Sequence, residues 1–203
     1  MLSLLRSGGV YLDVGCCVGQ ELRYLHSQEG IRGAQLFGCD LHPQFLEIGH
    51  ELFMDAPGDG SGMRIQAADI FDDDSWTQRE MVGRCAVVHA SYFLHLFGKQ
   101  RQLLAAKRLV AFLKRKKGSM IVGRAIGSQL AGEYTHPTVG VMMRHDRASF
   151  NKFWKRVAQE SALELAVECD ISKSTVRISE DGKEFDHPPG EKATDITFSV
   201  TIV

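Results

Sequence analysis

The sequence predicts an α/β fold built on one mostly parallel sheet of seven strands, with helices on both faces and an antiparallel hairpin at the C-terminus. Two observations predict it. Short apolar runs alternate with segments of helical periodicity, and this alternation is typical of parallel strands joined by right-handed helical crossovers. The chain has 203 residues, a length that fits one domain spanning residues 1–203.

Each predicted strand is a short apolar run, and each predicted helix places apolar residues three or four positions apart. In chain order, the predicted elements are strand 10–14, helix 20–26, strand 35–39, helix 43–53, strand 64–68, strand 86–90, helix 100–113, strand 119–123, helix 149–161, strand 163–168 and strand 194–203. Proline and glycine predict loops at 55–63, 180–182 and 188–190, and we also expect a loop at 125–145.

Composition and charge exclude several classes of protein. The chain has 24 Lys and Arg against 25 Asp and Glu, so no global field favours nucleic acid or an anionic membrane. No apolar run approaches the roughly 18 residues of a membrane-spanning helix. The five cysteines form no CxxC pair, which predicts reduced thiols in a cytoplasmic protein and no metal site. A small-molecule substrate is therefore the expected partner.

A turn of small residues follows the first strand at Asp13, Gly15, Cys16, Cys17 and Gly19. Glycines allow the backbone to bend and to approach a ligand closely. A dinucleotide-binding turn would place glycine at positions 15, 17 and 20, and only Gly15 matches. Methyltransferases use an acid followed by three alternate glycines, a pattern in which Cys17 is a small substitute. These residues are candidates for cofactor binding, and a tight turn without a ligand is the alternative.

Acidic residues also follow the second and third strands. Asp40 ends the second strand, where a carboxylate can accept hydrogen bonds from both ribose hydroxyls of an adenosine cofactor. Asp69 follows the third strand and can accept from the adenine amino group, with Leu41 and Ile70 against the faces of the purine. Helix capping is the alternative role for such aspartates.

The motifs occur in the order found in a known family. The runs YLDVGCCVGQELR, GCDLHPQFLEIGHELFMD, AADIFDD and VVHASYFLHLF resemble the class I S-adenosylmethionine-dependent methyltransferases, and among them the fungal secondary-metabolism enzymes that include meroterpenoid carboxyl methyltransferases. The resemblance implies a Rossmann-like fold and S-adenosyl-L-methionine as cofactor. It further implies methyl transfer to oxygen on a small terpenoid or other natural-product intermediate, with methyl ester formation on a carboxylate.

The segment 89–97 follows the fourth strand, where methyl donor and acceptor are expected to meet. His89 is expected to contact the methionine part of the cofactor, and His89 and His95 are the candidate catalytic residues. Burial in a helical core is an equally open role for His95. A carboxylate acceptor needs no general base, whereas a hydroxyl acceptor would need one, for which His136 and His145 are further candidates.

Two features leave alternatives open. The segment 99–117 contains eight basic residues and no acidic one, which fits either an RNA-facing helix or a half-buried surface helix. Only nine residues precede Val10, whereas the family normally carries cap helices there. Either the cofactor cleft is more open than usual, or a second copy or a partner chain covers it, and we expect weak cofactor affinity. The alternative function is a catalytically weak accessory module.

Overall fold

A computed structural model describes residues 1–55, 58, 60–136, 140–173 and 193–203. Its strands are β1 (Val10–Val14), β2 (Leu36–Asp40), β3 (Arg64–Ala67), β4 (Cys85–His89), β5 (Met120–Ser128), β6 (Gly132–His136), β7 (Gly140–Arg144), β8 (Leu165–Lys173) and β9 (Ala193–Ile202). Seven of them form one sheet in the order β3-β2-β1-β4-β5-β9-β8, while β6 and β7 pair separately.

The strand directions confirm the predicted fold class. The β3-β2-β1-β4-β5 part of the sheet is parallel, whereas β9 runs antiparallel to both β5 and β8. The C-terminal hairpin is therefore β8–β9. The loops predicted at 180–182 and 188–190 lie outside the described residues.

Helices cover both faces of the sheet. They are α1 (Leu2–Arg6), α2 (Gln20–Ser27), α3 (Pro43–Phe53), α4 (Trp76–Met81), α5 (Lys99–Phe112) and α6 (Arg147–Ser161). Tyr11 packs in one apolar core with residues of α1, α2 and α3, and the adjacent Leu12 packs in the other core with residues of α4, α5 and α6. Successive residues of a strand point to opposite faces of the sheet. Each inner strand therefore contributes side chains to both cores.

Local chemistry explains where the long helices begin. Pro43 occupies the first turn of α3, where its missing N–H costs no hydrogen bond. Asp146 caps α6 by accepting the Ser149 N–H at 2.7 Å, while Ser149 Oγ accepts the Asp146 N–H at 3.1 Å. This reciprocal pair satisfies two backbone donors that a helix start leaves unpaired.

The described residues of the segment 125–145, which leave out 137–139, are mostly β-strand, so the prediction of a loop there is wrong. β5 extends to Ser128, and the hairpin β6–β7 follows it. The hairpin packs against the segment after β4: Met143 N–H donates to Phe97 O at 2.8 Å, and Glu133 Oε1 accepts from Lys99 N–H at 2.8 Å. Long-range contacts of this kind have no local sequence signal.

The short helices α1 and α4 were not predicted, because five or six residues carry too little periodicity to reveal a helix. α1 precedes β1 and buries Leu5. Gln35 ties it to the sheet by donating from Nε2 to Leu5 O at 2.9 Å and Gly9 O at 2.8 Å. Within the described residues, no helix has the length and apolar character needed to cross a bilayer.

Candidate active site

The turn after β1 has an unusual backbone. Gly15, Cys17 and Gly19 all have positive φ, at 72°, 51° and 69°, a region in which a side chain such as that of Cys17 costs about 1–2 kcal/mol. A side chain on Gly49 of α3 would meet Val18 O at 2.5 Å. The missing side chain thus lets α3 approach the turn.

The N–H groups of the turn are bonded within the chain. Gly15 and Cys16 N–H both donate to Cys39 O, at 2.8 and 3.0 Å, and Cys17 N–H donates to Asp40 Oδ2 at 2.9 Å. These three donors face β2, so they are not available to cradle a pyrophosphate as a dinucleotide-binding turn does. The bonding pattern agrees with the glycine spacing, which also argues against a dinucleotide.

Asp40 and Asp69 stand at neighbouring strand ends. Asp40 is buried, and its Oδ1 accepts the His42 N–H at 3.0 Å. Asp69 Oδ1 accepts the Phe71 N–H at 2.8 Å. His42, not Asp40, is the N-cap residue of α3, and it makes no side-chain cap hydrogen bond. Because each carboxylate oxygen has two lone pairs, both aspartates retain capacity to accept from a ligand.

A cavity of about 250 Å³ brings these residues together. Its lining includes the predicted residues Gly15, Asp40, Leu41, Asp69 and Ile70. Most of the remaining wall is apolar or aromatic, with Phe45, Phe71, Phe93 and Phe97 among its residues, and His42 and Arg101 also line it. The cavity therefore offers carboxylate acceptors set in apolar walls, the combination that an adenosine group requires.

Asp13, His89 and Ser91 form a hydrogen-bonded chain. His89 Nδ1 lies 2.8 Å from Asp13 Oδ1, and His89 Nε2 lies 2.7 Å from Ser91 Oγ. Burial lowers the pKa of His89, and the hydrogen bond and charge of Asp13 outweigh that effect, so its pKa is raised above 6.5. Asp13 thereby orients the imidazole and favours its protonated form.

A second cavity, of about 570 Å³, adjoins the first through Gly15 and Tyr92. It is lined by Asp13, Gly15, Cys16, Cys17, Gln20, Glu21, His89, Ser91, Tyr92 and Arg124. Cys16 is buried, and burial raises the pKa of its thiol. Together the two cavities form a cleft across the carboxyl ends of β2, β1 and β4, where ligands bind in sheets of this type. Gly19 lies at the start of α2 and lines neither cavity.

His95 is not brought to this cleft. It is 6% exposed in the 3-10 turn Leu94–Leu96, and its Nδ1 accepts the Ile126 N–H at 3.2 Å. Burial lowers the pKa of His95 to about 3. A buried imidazole that accepts from a backbone N–H corresponds to the core role considered above.

His145 is also buried away from the cleft. Its Nε2 lies 2.8 Å from Gln102 Oε1, and Gln102 Nε2 donates to Leu94 O and Met143 O. Burial lowers the pKa of His145 to about 4. Through Gln102, His145 ties β7 and α6 to the segment that forms the wall of the cleft.

These buried histidines predict lower stability in acid. The folded pKa values of His95 and His145 are about 3 and about 4, against roughly 6.5 in an unfolded chain. Between these values the unfolded state binds more protons, so the free energy of unfolding falls as pH is lowered. We expect His145→Gln to reduce this dependence by about 2 kcal/mol between pH 7 and pH 5. Urea denaturation at several pH values measures it, and identical slopes in variant and wild type would contradict the assignment.

The residues of the cleft that the sequence did not predict include Ser91, Tyr92 and Arg124. Ser91 extends the Asp13–His89 chain, and Tyr92 adopts a positive φ of 53° beside it. Arg124 directly follows the predicted end of the fifth strand, and a charged residue at that place is a usable signal for a site residue. Among the described residues, no cluster of His, Cys, Asp and Glu has the arrangement of a metal site.

Comparisons with known proteins agree with the fold and the motifs. The chain is 42% identical over 169 residues to the O-methyltransferase phiE of a fungal species (strain ATCC 74256), covering 82% of this chain and 55% of that protein. It is 40% identical over 170 residues to the methyltransferase adrK of Penicillium rubens, covering 83% of this chain and 60% of that protein. The chain thus spans less than two thirds of the length of these relatives. No protein-family model matches it.

Solved structures show the same fold at low sequence identity. The methyltransferase domain of bacterial CtHen1 aligns with a TM-score of 0.61 at 14% identity, over 100% of this chain and 95% of that one. The 1,6-didemethyltoxoflavin-N1-methyltransferase of Burkholderia thailandensis, with bound S-adenosylhomocysteine, aligns with a TM-score of 0.62 at 13% identity, over 100% and 76%. The chain therefore has the fold of class I methyltransferases, and in sequence it is similar to methyltransferases of fungal secondary metabolism, as its motifs predicted.

Proposed function

We propose that this chain is an S-adenosylmethionine-dependent O-methyltransferase that forms a methyl ester on a carboxylic acid intermediate of natural-product biosynthesis. One observation carries the cofactor part of the proposal. Two carboxylates, Asp40 and Asp69, lie in one apolar cavity that continues into a second, polar cavity at Asp13 and His89. The similarity to the fungal O-methyltransferase phiE supports the choice of oxygen as the acceptor atom.

The two cavities fit the two halves of the cofactor. Asp40 would accept from the ribose hydroxyls and Asp69 from the adenine amino group, while Leu41 and Ile70 would pack on the purine. Leu41 is 59% exposed and thus has apolar surface to offer a ligand. Cys16, Cys17 and Asp13 line the second cavity, where they would hold the methionine part of the cofactor, with Asp13 as the acceptor for its ammonium group.

The bound cofactor supplies an electrophilic methyl group on a sulfonium sulfur. The chain supplies orientation: Asp13, His89 and Ser91 hold one side of the second cavity through two hydrogen bonds of 2.8 and 2.7 Å. Positioning an acceptor oxygen against the methyl group provides most of the acceleration that such a displacement needs. A carboxylate acceptor loses no proton in this reaction, so no general base is needed. His89 therefore serves to bind and orient the reactants, and no proton transfer is assigned to His95.

A catalytically weak accessory module is the second candidate. Such a module would bind the cofactor in the same cleft and would need a partner subunit for turnover. Binding and turnover must therefore be measured separately.

The test combines calorimetry with mass spectrometry. We expect S-adenosylhomocysteine to bind in the micromolar range, and we expect the chain with S-adenosylmethionine to add 14 mass units to acids in a panel of terpenoid carboxylic acids but not to the matching alcohols. Binding without methyl transfer would favour the accessory module. Absence of binding would contradict both candidates, and methylation of alcohols alone would overturn the carboxylate assignment.

A further inference from the structure

We infer that Arg124 binds the carboxylate of the methyl acceptor and so selects acids over neutral compounds. The inference rests on the proposed function and names a residue responsible for its specificity. Arg124 lies on β5, four residues before the strand ends at Ser128. Its backbone is held in place because Tyr92 N–H donates to Arg124 O at 2.7 Å.

The register of the strands places Arg124 beside the proposed point of methyl transfer. His89, the last residue of β4, pairs with Val122 of β5, so Arg124 lies two residues, or roughly 7 Å, further along the strand. β4 separates β5 from β1. Since neighbouring strands are about 4.8 Å apart, Arg124 lies on the side of His89 that faces away from the cavity assigned to adenosine.

Arg124 connects the cofactor cleft to a third cavity. This groove, of about 510 Å³, shares Glu21, His89, Ser91 and Arg124 with the second cavity. Its remaining wall is mainly apolar and aromatic, and includes Leu2, Tyr11, Tyr24, Leu25, Val122 and Phe198. A groove with an apolar wall and a cation at the end nearest the cofactor fits an apolar molecule that carries one carboxylate.

The guanidinium of Arg124 is available for such a ligand. The side chain is exposed, and within the described part of the chain it forms no hydrogen bond or ion pair. The same walls carry three acids: Glu29 pairs with Arg6 at 2.9 Å, Asp13 contacts His89 at 2.8 Å, and Glu21 in the first turn of α2 forms no ion pair with Arg124 within the described residues. Arg124 is the one arginine or lysine among the residues that line the second and third cavities.

The chemistry of the step agrees with this placement. A carboxylate oxygen of the acceptor forms a bond to the methyl carbon, and the carbon–sulfur bond breaks with its electron pair remaining on sulfur. The negative carboxylate and the positive sulfonium become a neutral ester and a neutral thioether, and no proton moves. Arginine binds a carboxylate through charge-assisted hydrogen bonds that a neutral ester cannot match. Arg124 therefore favours binding of the acid and release of the ester.

The cofactor also carries a carboxylate, and the test must distinguish the two sources. Calorimetry compares octanoate with octanamide, which have nearly the same shape and differ in charge, with and without S-adenosylhomocysteine. We expect wild type to bind octanoate about tenfold more tightly than octanamide. Arg124→Gln should lose this preference and Arg124→Lys should retain part of it. Arg115→Gln, which removes an exposed arginine that lines neither cavity, should keep it in full.

Two results would overturn the inference. One is an octanoate preference that is absent in wild type or persists in Arg124→Gln. The other is a tenfold loss of S-adenosylhomocysteine affinity in Arg124→Gln with unchanged affinity for 5′-methylthioadenosine, since the latter lacks the carboxylate and the arginine would then bind the cofactor. Cofactor binding by wild type tests the proposed function independently, because the octanoate titration without cofactor addresses Arg124 alone.

Discussion

Replacing Asp40 with alanine is expected to weaken S-adenosylhomocysteine binding about 30- to 1000-fold, or about 2–4 kcal/mol. Under the proposed function, the substitution removes a charged acceptor for two ribose hydroxyls. It also releases the N–H groups of Cys17 and His42, which Asp40 Oδ2 and Oδ1 hold at 2.9 and 3.0 Å. Isothermal titration calorimetry measures the change directly.

Asp40→Asn separates these two contributions. The amide keeps the size of the side chain, but its NH₂ group cannot accept from one of the two backbone donors. We expect an intermediate loss of affinity and a lower melting temperature than that of wild type, because one backbone N–H loses its acceptor. Asp74→Asn, on the exposed segment before α4, is the matched control and should leave binding unchanged. Full affinity in Asp40→Ala would remove the ribose assignment.

Replacing Trp154 with alanine is expected to destabilise the fold by about 3–5 kcal/mol. The side chain is fully buried in α6, and its ring centroid lies 5.4 Å from that of Phe153 and 6.2 Å from those of Phe150 and Phe198. Phe198 belongs to β9, so the indole fixes α6 against the C-terminal hairpin. Truncation leaves a cavity that this aromatic cluster cannot fill.

Trp154→Phe is the control for this prediction. Among the described residues, Trp154 Nε1 has no hydrogen-bond partner, so phenylalanine removes an unsatisfied buried donor and keeps most of the apolar contact. We expect a loss below about 1.5 kcal/mol. Urea denaturation at pH 7 compares both variants with wild type. Equal losses in the two variants would mean that aromatic packing does not explain the role of this position.

Short-range pattern was sufficient for most of the fold. The seven strands of the main sheet and the helices α2, α3, α5 and α6 were predicted, because each depends on local periodicity and on a glycine, proline or capping residue at its ends. β5 and β8 each extend five residues beyond their predicted ends. The strand-end aspartates Asp40 and Asp69 were predicted to meet for the same reason. Parallel neighbouring strands bring their carboxyl ends to one edge of the sheet, independently of the length and conformation of the loops between them.

Residues far apart in sequence decided the rest. The β6–β7 hairpin owes its position to contacts with the segment after β4, such as Met143 N–H to Phe97 O. Burial of His95 depends on that hairpin and on the extension of β5, since its partner is Ile126. A histidine after the fourth strand can face either the cleft or the core, and its immediate neighbours in sequence do not distinguish the two.

Sequence by itself therefore determined the sheet, its helices and the chemistry at the strand ends, because these follow from periodicity and topology. Tertiary structure alone decided which candidate side chains reach the cleft. Strand register and packing bring Asp13, His89 and Ser91 into hydrogen-bond contact. They also keep His95 out of the cleft and place Arg124 beside the apolar groove. Those are properties of distant segments in contact, and a local pattern does not encode them.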